Sequence, residues 1–219
     1  NPVAKNAGKF NEAEELLTFL INSNPNNYSL NKLLADLYRT SKFYRKAIQH
    51  YTELLKIKNI NTIQIEDIFY MRGTCYEKLG IWEKAERDFL QSLEINSEQP
   101  QVLNYLAYGW IERNVKIDES IEMLQLAITK NPKSHYILDS LAWAYYKKNN
   151  LTKAVNMMEK VIKIAPAEAI SLDHLGDIYF QLGRKREAYF MWTQARDLSE
   201  PEDEIIDSVQ LKLDRYNEG

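Results

Sequence analysis

The sequence predicts an all-α fold made of paired antiparallel helices. The chain has 219 residues with only 7 Gly and 6 Pro, which leaves little material for the turns of a sheet. A pattern of small and large apolar residues recurs at intervals of 34 to 38 residues. Periods of this length are typical of stacked helical repeats. Hydrophobic content of 45% and charged content of 27% are those of a folded chain.

The pattern marks two helices in each unit. Helix B carries a small residue followed four positions later by a large apolar one, and such residues share one helical face. The small residues are Ala13, Ala47, Ala85, Ser120, Ala154 and Ala188. Helix A carries a small residue followed three positions later by an aromatic one, in the segments 35–38, 73–76, 107–110, 142–145 and 176–179. The small residues predict a close approach of the two helices.

These columns resemble those of the tetratricopeptide repeat (TPR) family, in which a 34-residue unit carries L-G-x2-Y, then A-x3-F, then P. The resemblance implies an α-solenoid of stacked antiparallel helix pairs, a right-handed superhelix with a C-terminal capping helix. The predicted units of this single solenoid, 1–219, are a partial repeat 1–27, repeats 28–61, 66–99, 100–134, 135–168 and 169–200, and a capping helix 202–217.

Departures from the 34-residue period are expected in loops, where insertions cost little. Four extra residues fall at Thr62–Ile65, and one falls in the Arg113–Asp118 turn. The first unit begins inside its helix A, so we expect a piece of a longer array. At the other end, Ser199 and Glu202 form a potential capping box. An apolar stripe follows, made of Ile205, Ile206, Val209 and Leu213.

The resemblance implies that the A helices line a concave groove that binds a peptide or helical segment of a partner protein. The residues expected to contact the partner are Tyr70, Thr74, Asn104, Tyr105, Tyr108, Tyr136, Asp139, Trp143, Asp173 and Asp177. For Tyr70, Tyr108 and Trp143, exposure on the groove and packing inside it both stay open. Tyr146 and Phe180 are expected to pack between neighbouring A helices.

The charge of the groove predicts the partner. Asp139 and Asp173 occupy the same repeat position and Asp177 lies one turn further on, so a ligand with Lys or Arg would relieve their repulsion. We therefore expect a partner with apolar or aromatic residues together with basic ones; the alternative is that the acids only solvate the groove. The family also has a known clamp for a C-terminal carboxylate, which needs a Lys and, four residues later, an Asn. Here Lys32 is followed by Asp36 at that position, so the clamp is absent.

Other function classes find little support in the sequence. No nucleophile, base and orienting residue fall together, so we expect no enzyme and no cofactor. His174 stands between Asp173 and Asp177, but neighbouring residues point apart on a helix, so no metal site is expected. The single Cys excludes a disulfide framework, and a net charge of −3 argues against nucleic acid. No apolar run is long enough to insert into a membrane.

A second resemblance covers residues 104 to about 197. The segments 139–143 (Asp-Ser-Leu-Ala-Trp) and 173–177 (Asp-His-Leu-Gly-Asp) look like the C-terminal repeats of long TPR proteins of Gram-negative, especially alphaproteobacterial, bacteria. Two alternatives to a scaffold stay open: a regulatory or assembly domain of a larger bacterial protein, and a helical-repeat RNA binder. For a soluble bacterial chain, both the cytoplasm and the periplasm or envelope remain possible compartments.

Overall fold

The computed structural model describes residues 2–200 and 205–217. Twelve helices make up 80% of this part of the chain, and no strand occurs in it. The all-α prediction is confirmed. Among the described helices, none has both the length and the apolar content that crossing a bilayer requires.

The chain divides into two compact units, unit 1 (residues 1–105) and unit 2 (residues 106–219). Unit 1 contains α1 (Pro2–Ser23), α2 (Tyr28–Thr40), α3 (Tyr44–Leu54), α4 (Thr62–Lys78) and α5 (Trp82–Ile95). The helix α6 (Pro100–Glu112) contains the boundary. Unit 2 continues with α7 (Ile117–Lys130), α8 (His135–Lys147), α9 (Leu151–Ile164), α10 (Ala169–Gln181), α11 (Lys185–Leu198) and α12 (Ile205–Asn217).

Within each unit, the helices pack in chain order, and small residues let the two helices of a pair approach. A Cβ on Gly176 of α10 would lie 2.4 Å from the Trp192 ring of α11. A Cβ on Gly73 of α4 would lie 2.7 Å from the Phe89 ring of α5. Ala154 in α9 is fully buried. The predicted close approach of helices A and B is confirmed at these pairs.

Short turns join helix A to helix B, and their second residue has a positive φ. This residue is a glycine in two turns, Gly80 and Gly183, which suits glycine's freedom in the left-handed region. Lys42, with φ 64°, adopts the same conformation after α2. The turn between α6 and α7 contains one residue more than the others, as the repeat spacing predicts, and both Asn114 and Lys116 have a positive φ there.

Two expectations about the first half of the chain are wrong. The four extra residues Thr62–Ile65 form the first turn of α4 and not a loop. Asn61 explains this, because its side chain accepts a hydrogen bond from Gln64 N (2.9 Å) while the Gln64 side chain accepts one from Asn61 N (2.9 Å). The partial first repeat is a single helix, α1, where parts of two helices were expected.

The last helix, α12, covers the end of unit 2 as predicted for a capping helix. Val209 and Leu213 are buried against the cluster that contains Trp192 and Ala195, and Ile205 packs beside them. Leu211 faces away and is exposed. The proposed capping box depends on Glu202, which lies outside the described residues. The division of the whole chain into repeats of one solenoid stays a prediction.

Candidate interaction surface

In unit 1, the predicted contact residues Tyr70 and Tyr105 lie together. Their rings are 5.8 Å apart at an angle of 63°, and the Tyr105 ring also lies against Phe89 (5.7 Å). Thr74 is buried, and its hydroxyl donates a hydrogen bond to the Met71 carbonyl within α4 (2.7 Å). Asn104 Oδ1 is buried and has no hydrogen-bond partner among the described atoms. This surface is therefore aromatic, and Thr74 contributes to packing.

The A helices of unit 1 also carry a charged cluster between α2 and α4. Lys32 Nζ lies 2.8 Å from an oxygen of Asp36 and 3.1 Å from one of Asp67. The Tyr51 hydroxyl donates to the other oxygen of Asp36. Burial opposes the charge of Lys32, and the two carboxylates outweigh it, so its pKa is raised. Lys32 therefore pairs with one carboxylate of its own helix and with one of the neighbouring A helix.

In unit 2, His174 of α10 brings two predicted contact residues of α8 together. Its Nδ1 lies 3.0 Å from Asp139 Oδ2, and its ring stacks on the Trp143 indole at 4.0 Å and 13°. The indole Nε1 donates to Glu112 Oε1 (2.6 Å). The Tyr108 ring lies 6.4 Å from the imidazole. Asp139 Oδ1 is buried without a hydrogen-bond partner among the described atoms.

The His174 imidazole is a buried base with an acidic neighbour. Burial disfavours its charged form most strongly, but Asp139 favours it through both charge and hydrogen bonding, and Asp173 and Asp177 add to this. The pKa of His174 is raised as a result. A protonated imidazole also gains from its position over the Trp143 ring.

The other two predicted acids, Asp173 and Asp177, pair with Lys212 of α12. Lys212 Nζ donates to Asp173 Oδ1 (2.7 Å) and Asp177 Oδ2 (2.9 Å). Trp192 Nε1 donates to Asp177 Oδ1 (3.1 Å). Burial raises the pKa of Asp173, Lys212 lowers it, and the nearby Asp177 raises it, with a net upward shift. The capping helix thus supplies a cation that the sequence led us to expect from a partner.

The structure separates the predicted contact residues of unit 2 by exposure. Asp139 is 5% exposed and Trp143 is 6% exposed, so the open question about Trp143 is answered in favour of packing. Tyr136 is 43% exposed. Tyr146 is half-buried and stacks on Trp143 at 4.6 Å. Phe180, expected to pack between A helices, is 45% exposed and lies beside Trp192 of helix B.

A cleft of about 600 Å³ opens next to the Lys212 ion pair. It is lined by residues of α8, α10, α11 and α12, namely Tyr146, Asp177, Phe180, Lys185, Trp192, Lys212, Arg215 and Tyr216. Of these residues, the sequence predicts a partner contact at Asp177 and packing at Tyr146 and Phe180, whereas Lys212 was missed. A signal for Lys212 exists: it follows Ile178 by one repeat length, where the preceding units have small or apolar residues.

No metal site accompanies these charges in the part of the chain that the structure describes. Within it, no group of three or more His, Cys, Asp or Glu side chains is placed to hold a metal ion. The lone Cys75 is buried, and burial raises the pKa of its thiol to about 12. It packs in the core of unit 1.

The sequence and the fold both match known proteins. Residues 136–168 match the tetratricopeptide repeat family model. A TPR repeat-containing protein of Pseudomonas aeruginosa is 25% identical over 111 residues, which cover 51% of this chain. The match spans only 19% of the length of that relative.

Solved structures of TPR proteins share the fold at low sequence identity. A chain of the APC/C hetero-tetramer Cut9–Hcn1 is 16% identical and superposes with a TM-score of 0.78, covering 96% of this chain and 40% of its own. A TPR protein of Parabacteroides merdae is 18% identical, with a TM-score of 0.69 and coverage of 97% and 94%. YrrB, described as a TPR protein with an unusual peptide-binding site, is 18% identical, with a TM-score of 0.61 and coverage of 91% and 100%.

These matches confirm the TPR resemblance and the α-solenoid fold class, whereas the alphaproteobacterial origin stays a prediction. The repeat columns, the close A–B approach at Gly73 and Gly176, and the family match at 136–168 all agree. The chain therefore resembles tetratricopeptide repeat proteins in its fold, and residues 136–168 match the family model itself.

Proposed function

We propose that the chain is a protein–protein interaction scaffold whose A helices bind a peptide or helical segment of a partner. The observation that carries the proposal is the aromatic character of partly exposed A-helix residues. Tyr70 and Tyr105 supply it in unit 1, and Tyr108 and Tyr136 supply it in unit 2. Aromatic side chains provide large contact areas with few rotatable bonds. The peptide-binding site described for YrrB supports this mode of action by analogy.

Binding is favoured over catalysis by the burial of the most reactive residues. His174 and Asp139 have the arrangement of a base and its orienting acid, but both side chains are more than nine-tenths buried. A substrate atom must come within hydrogen-bond distance of a catalytic base. The buried pair of His174 and Asp139 therefore joins α10 to α8 and is not available to a substrate.

The proposed partner carries apolar or aromatic residues that pack on the tyrosines. The basic residues expected in the partner depend on Asp139, Asp173 and Asp177, and each of these carboxylates already has a cationic neighbour in His174 or Lys212. A basic ligand group would compete with Lys212 for two of them. Lys212→Met should then strengthen the binding of a basic partner and leave an uncharged one unaffected.

A capture experiment tests the proposed surface. The unmodified chain is immobilised, and partners from the source organism are identified by mass spectrometry. Tyr136→Ala should reduce capture of a specific partner at least about tenfold, the loss of a buried aromatic contact. Phe190→Ala is the matched control, because it removes an exposed aromatic side chain from helix B. Equal capture by both variants would place the binding site elsewhere.

A further inference from the structure

The cleft between α10, α11 and α12 has the chemistry of a binding site for an acidic aromatic segment. We propose that it takes a large apolar side chain of a partner protein flanked by Asp or Glu side chains. This inference rests on the proposed scaffold function and names the partner's chemistry at the C-terminal end of the chain. It also gives that partner a charge opposite to the one that the acids alone suggested.

The walls of the cleft are aromatic. Phe180 lies beside the Trp192 ring at 5.5 Å and keeps 45% of its surface exposed. Tyr216 also lines the cleft, and its ring lies against that of Tyr189, with ring centres 4.8 Å apart. A volume of about 600 Å³ lies within the range of small-ligand sites and admits a large side chain with its neighbours. An apolar group entering here would cover the exposed face of Phe180.

The charges inside the cleft leave a positive excess. Asp177 is satisfied twice, by Lys212 and by the Trp192 indole. Lys212 is shared between Asp177 and Asp173, so these three groups hold each other. Lys185 and Arg215 also line the cleft, are exposed, and form no ion pair with any described residue. The groups that remain for a ligand are therefore two cations.

The positions of these two cations favour carboxylates within an extended segment. Lys185 is the first residue of α11, and Arg215 lies on the last turn of α12, so they stand on different helices. The exposed N–H groups at the start of α11 add a partial positive charge next to Lys185. A segment with one acidic residue before and one after its apolar anchor could pair with both cations at once. A basic segment would meet only Asp177, which is already paired.

Blocked pentapeptides test the inference directly on the full chain. The series is acetyl-Gly-Xaa-Phe-Xaa-Gly-amide with Glu, Gln or Lys at both Xaa positions, titrated calorimetrically at about 50 mM salt. We expect the Glu peptide to bind at least tenfold more tightly than the Lys peptide, with Gln between them. The preference should shrink at about 0.5 M salt, where screening is stronger. Equal binding, preference for Lys, or no binding of the Glu peptide below 1 mM would overturn the inference.

Variants then locate the site. Lys185→Glu with Arg215→Glu should weaken the Glu peptide at least tenfold, and Phe180→Ala should weaken all peptides of the series. Lys163→Glu is the control for charge, because Lys163 is exposed on α9 and does not line the cleft. Circular dichroism checks that each variant keeps its helices. A Glu peptide that binds equally well to the double variant would rule out this cleft.

The outcome is separable from that of the scaffold proposal. If partner capture depends on Tyr136 and the Glu peptide does not bind, the cleft inference fails and the scaffold proposal stands. If Tyr136→Ala leaves capture unchanged while the Glu peptide binds and its binding depends on Lys185 and Arg215, the proposed binding to the tyrosines of the A helices fails and the cleft inference stands.

Discussion

Replacing Asp139 by Asn should destabilise unit 2 strongly at slightly acid pH and weakly at alkaline pH. Asp139 Oδ2 lies 3.0 Å from His174 Nδ1, and both side chains are buried. Two unit charges about 4 Å apart attract each other by about 4 kcal/mol at an effective dielectric constant of about 20. Removing one partner of a buried pair typically costs about 3–5 kcal/mol. For Asp139→Asn we expect the free energy of unfolding to fall by about 3 kcal/mol at pH 6. This is the lower end of the range, because the imidazole can release its proton when its acidic partner is removed.

The pH dependence follows from the raised pKa of His174. Because the folded pKa lies above the unfolded value of 6.5, the folded chain binds the proton more tightly. The stabilisation is fully present below about pH 6.5 and is lost as the pH rises through the folded pKa. Above that range, the imidazole is neutral and Asp139→Asn should cost only about 1 kcal/mol, the contribution of an ordinary hydrogen bond.

Urea unfolding at pH 6 and pH 9 measures both quantities. His174→Gln should flatten the pH dependence, and the double variant should show that the two effects are coupled at pH 6. His135→Gln is the control, because His135 lies at the start of α8 and is partly exposed. An equal loss of stability at both pH values, or the same pH dependence in His174→Gln and the unmodified chain, would refute the role of the ion pair.

Three further predictions concern helix packing, a turn and the cap. Ala154→Leu should lower the free energy of unfolding by about 1–3 kcal/mol through overpacking, since Ala154 is fully buried; an unchanged thermal midpoint would contradict the packing of α9. Lys42→Gly should raise the free energy of unfolding by about 0.5–1 kcal/mol, because a left-handed conformation costs an L-residue about 1–2 kcal/mol. Lys42→Ala is the control and should bring no gain. A gain in stability with Ala would show that the positive φ is not the cause. Deletion of residues 202–219 should expose the apolar residues under α12 and cause self-association, which sedimentation velocity detects. Leu211→Ser changes only the exposed face of α12 and should leave the association state unchanged. A monomeric deletion variant would contradict the capping role.

The helices and their pairing could be predicted because the information is local and repeated. Spacing of three and four residues defines a helical face, and the small residues at Gly73 and Gly176 mark where the partner helix comes close. The capping helix was predictable from the apolar stripe that contains Val209 and Leu213. The extra turn of α4 was missed because the repeat template placed residues 62–65 between units. Asn61 and Gln64 held the contrary signal, a reciprocal pair of cap hydrogen bonds.

The chemistry of the surface was less predictable because it depends on which side chains meet across helices. The repeat positions of Asp139, Asp173 and Asp177 predict acids that face a partner. Their hydrogen-bond partners, His174 and Lys212, lie 35 or 39 residues further along the chain. Sequence spacing fixes the face of one helix, whereas the depth of a side chain is set by the neighbouring helix. Trp143 illustrates the point, since the stacked ring of His174 covers it.

The attachment of α12 combines two forces with different properties. One is the burial of Val209 and Leu213, which does not depend on charge. The other is Lys212, at a repeat position where the preceding units have small or apolar residues: Leu37, Cys75, Gly109, Ala144 and Ile178. If the Lys212 ammonium group were removed, Asp173 and Asp177 would lose the cation that they share. Their mutual repulsion would then add to burial, which already raises the pKa of Asp173. The same lysine therefore helps to hold the cap, pairs with the two acids of α10, and leaves Lys185 and Arg215 as the charges available to the acidic segment that we propose.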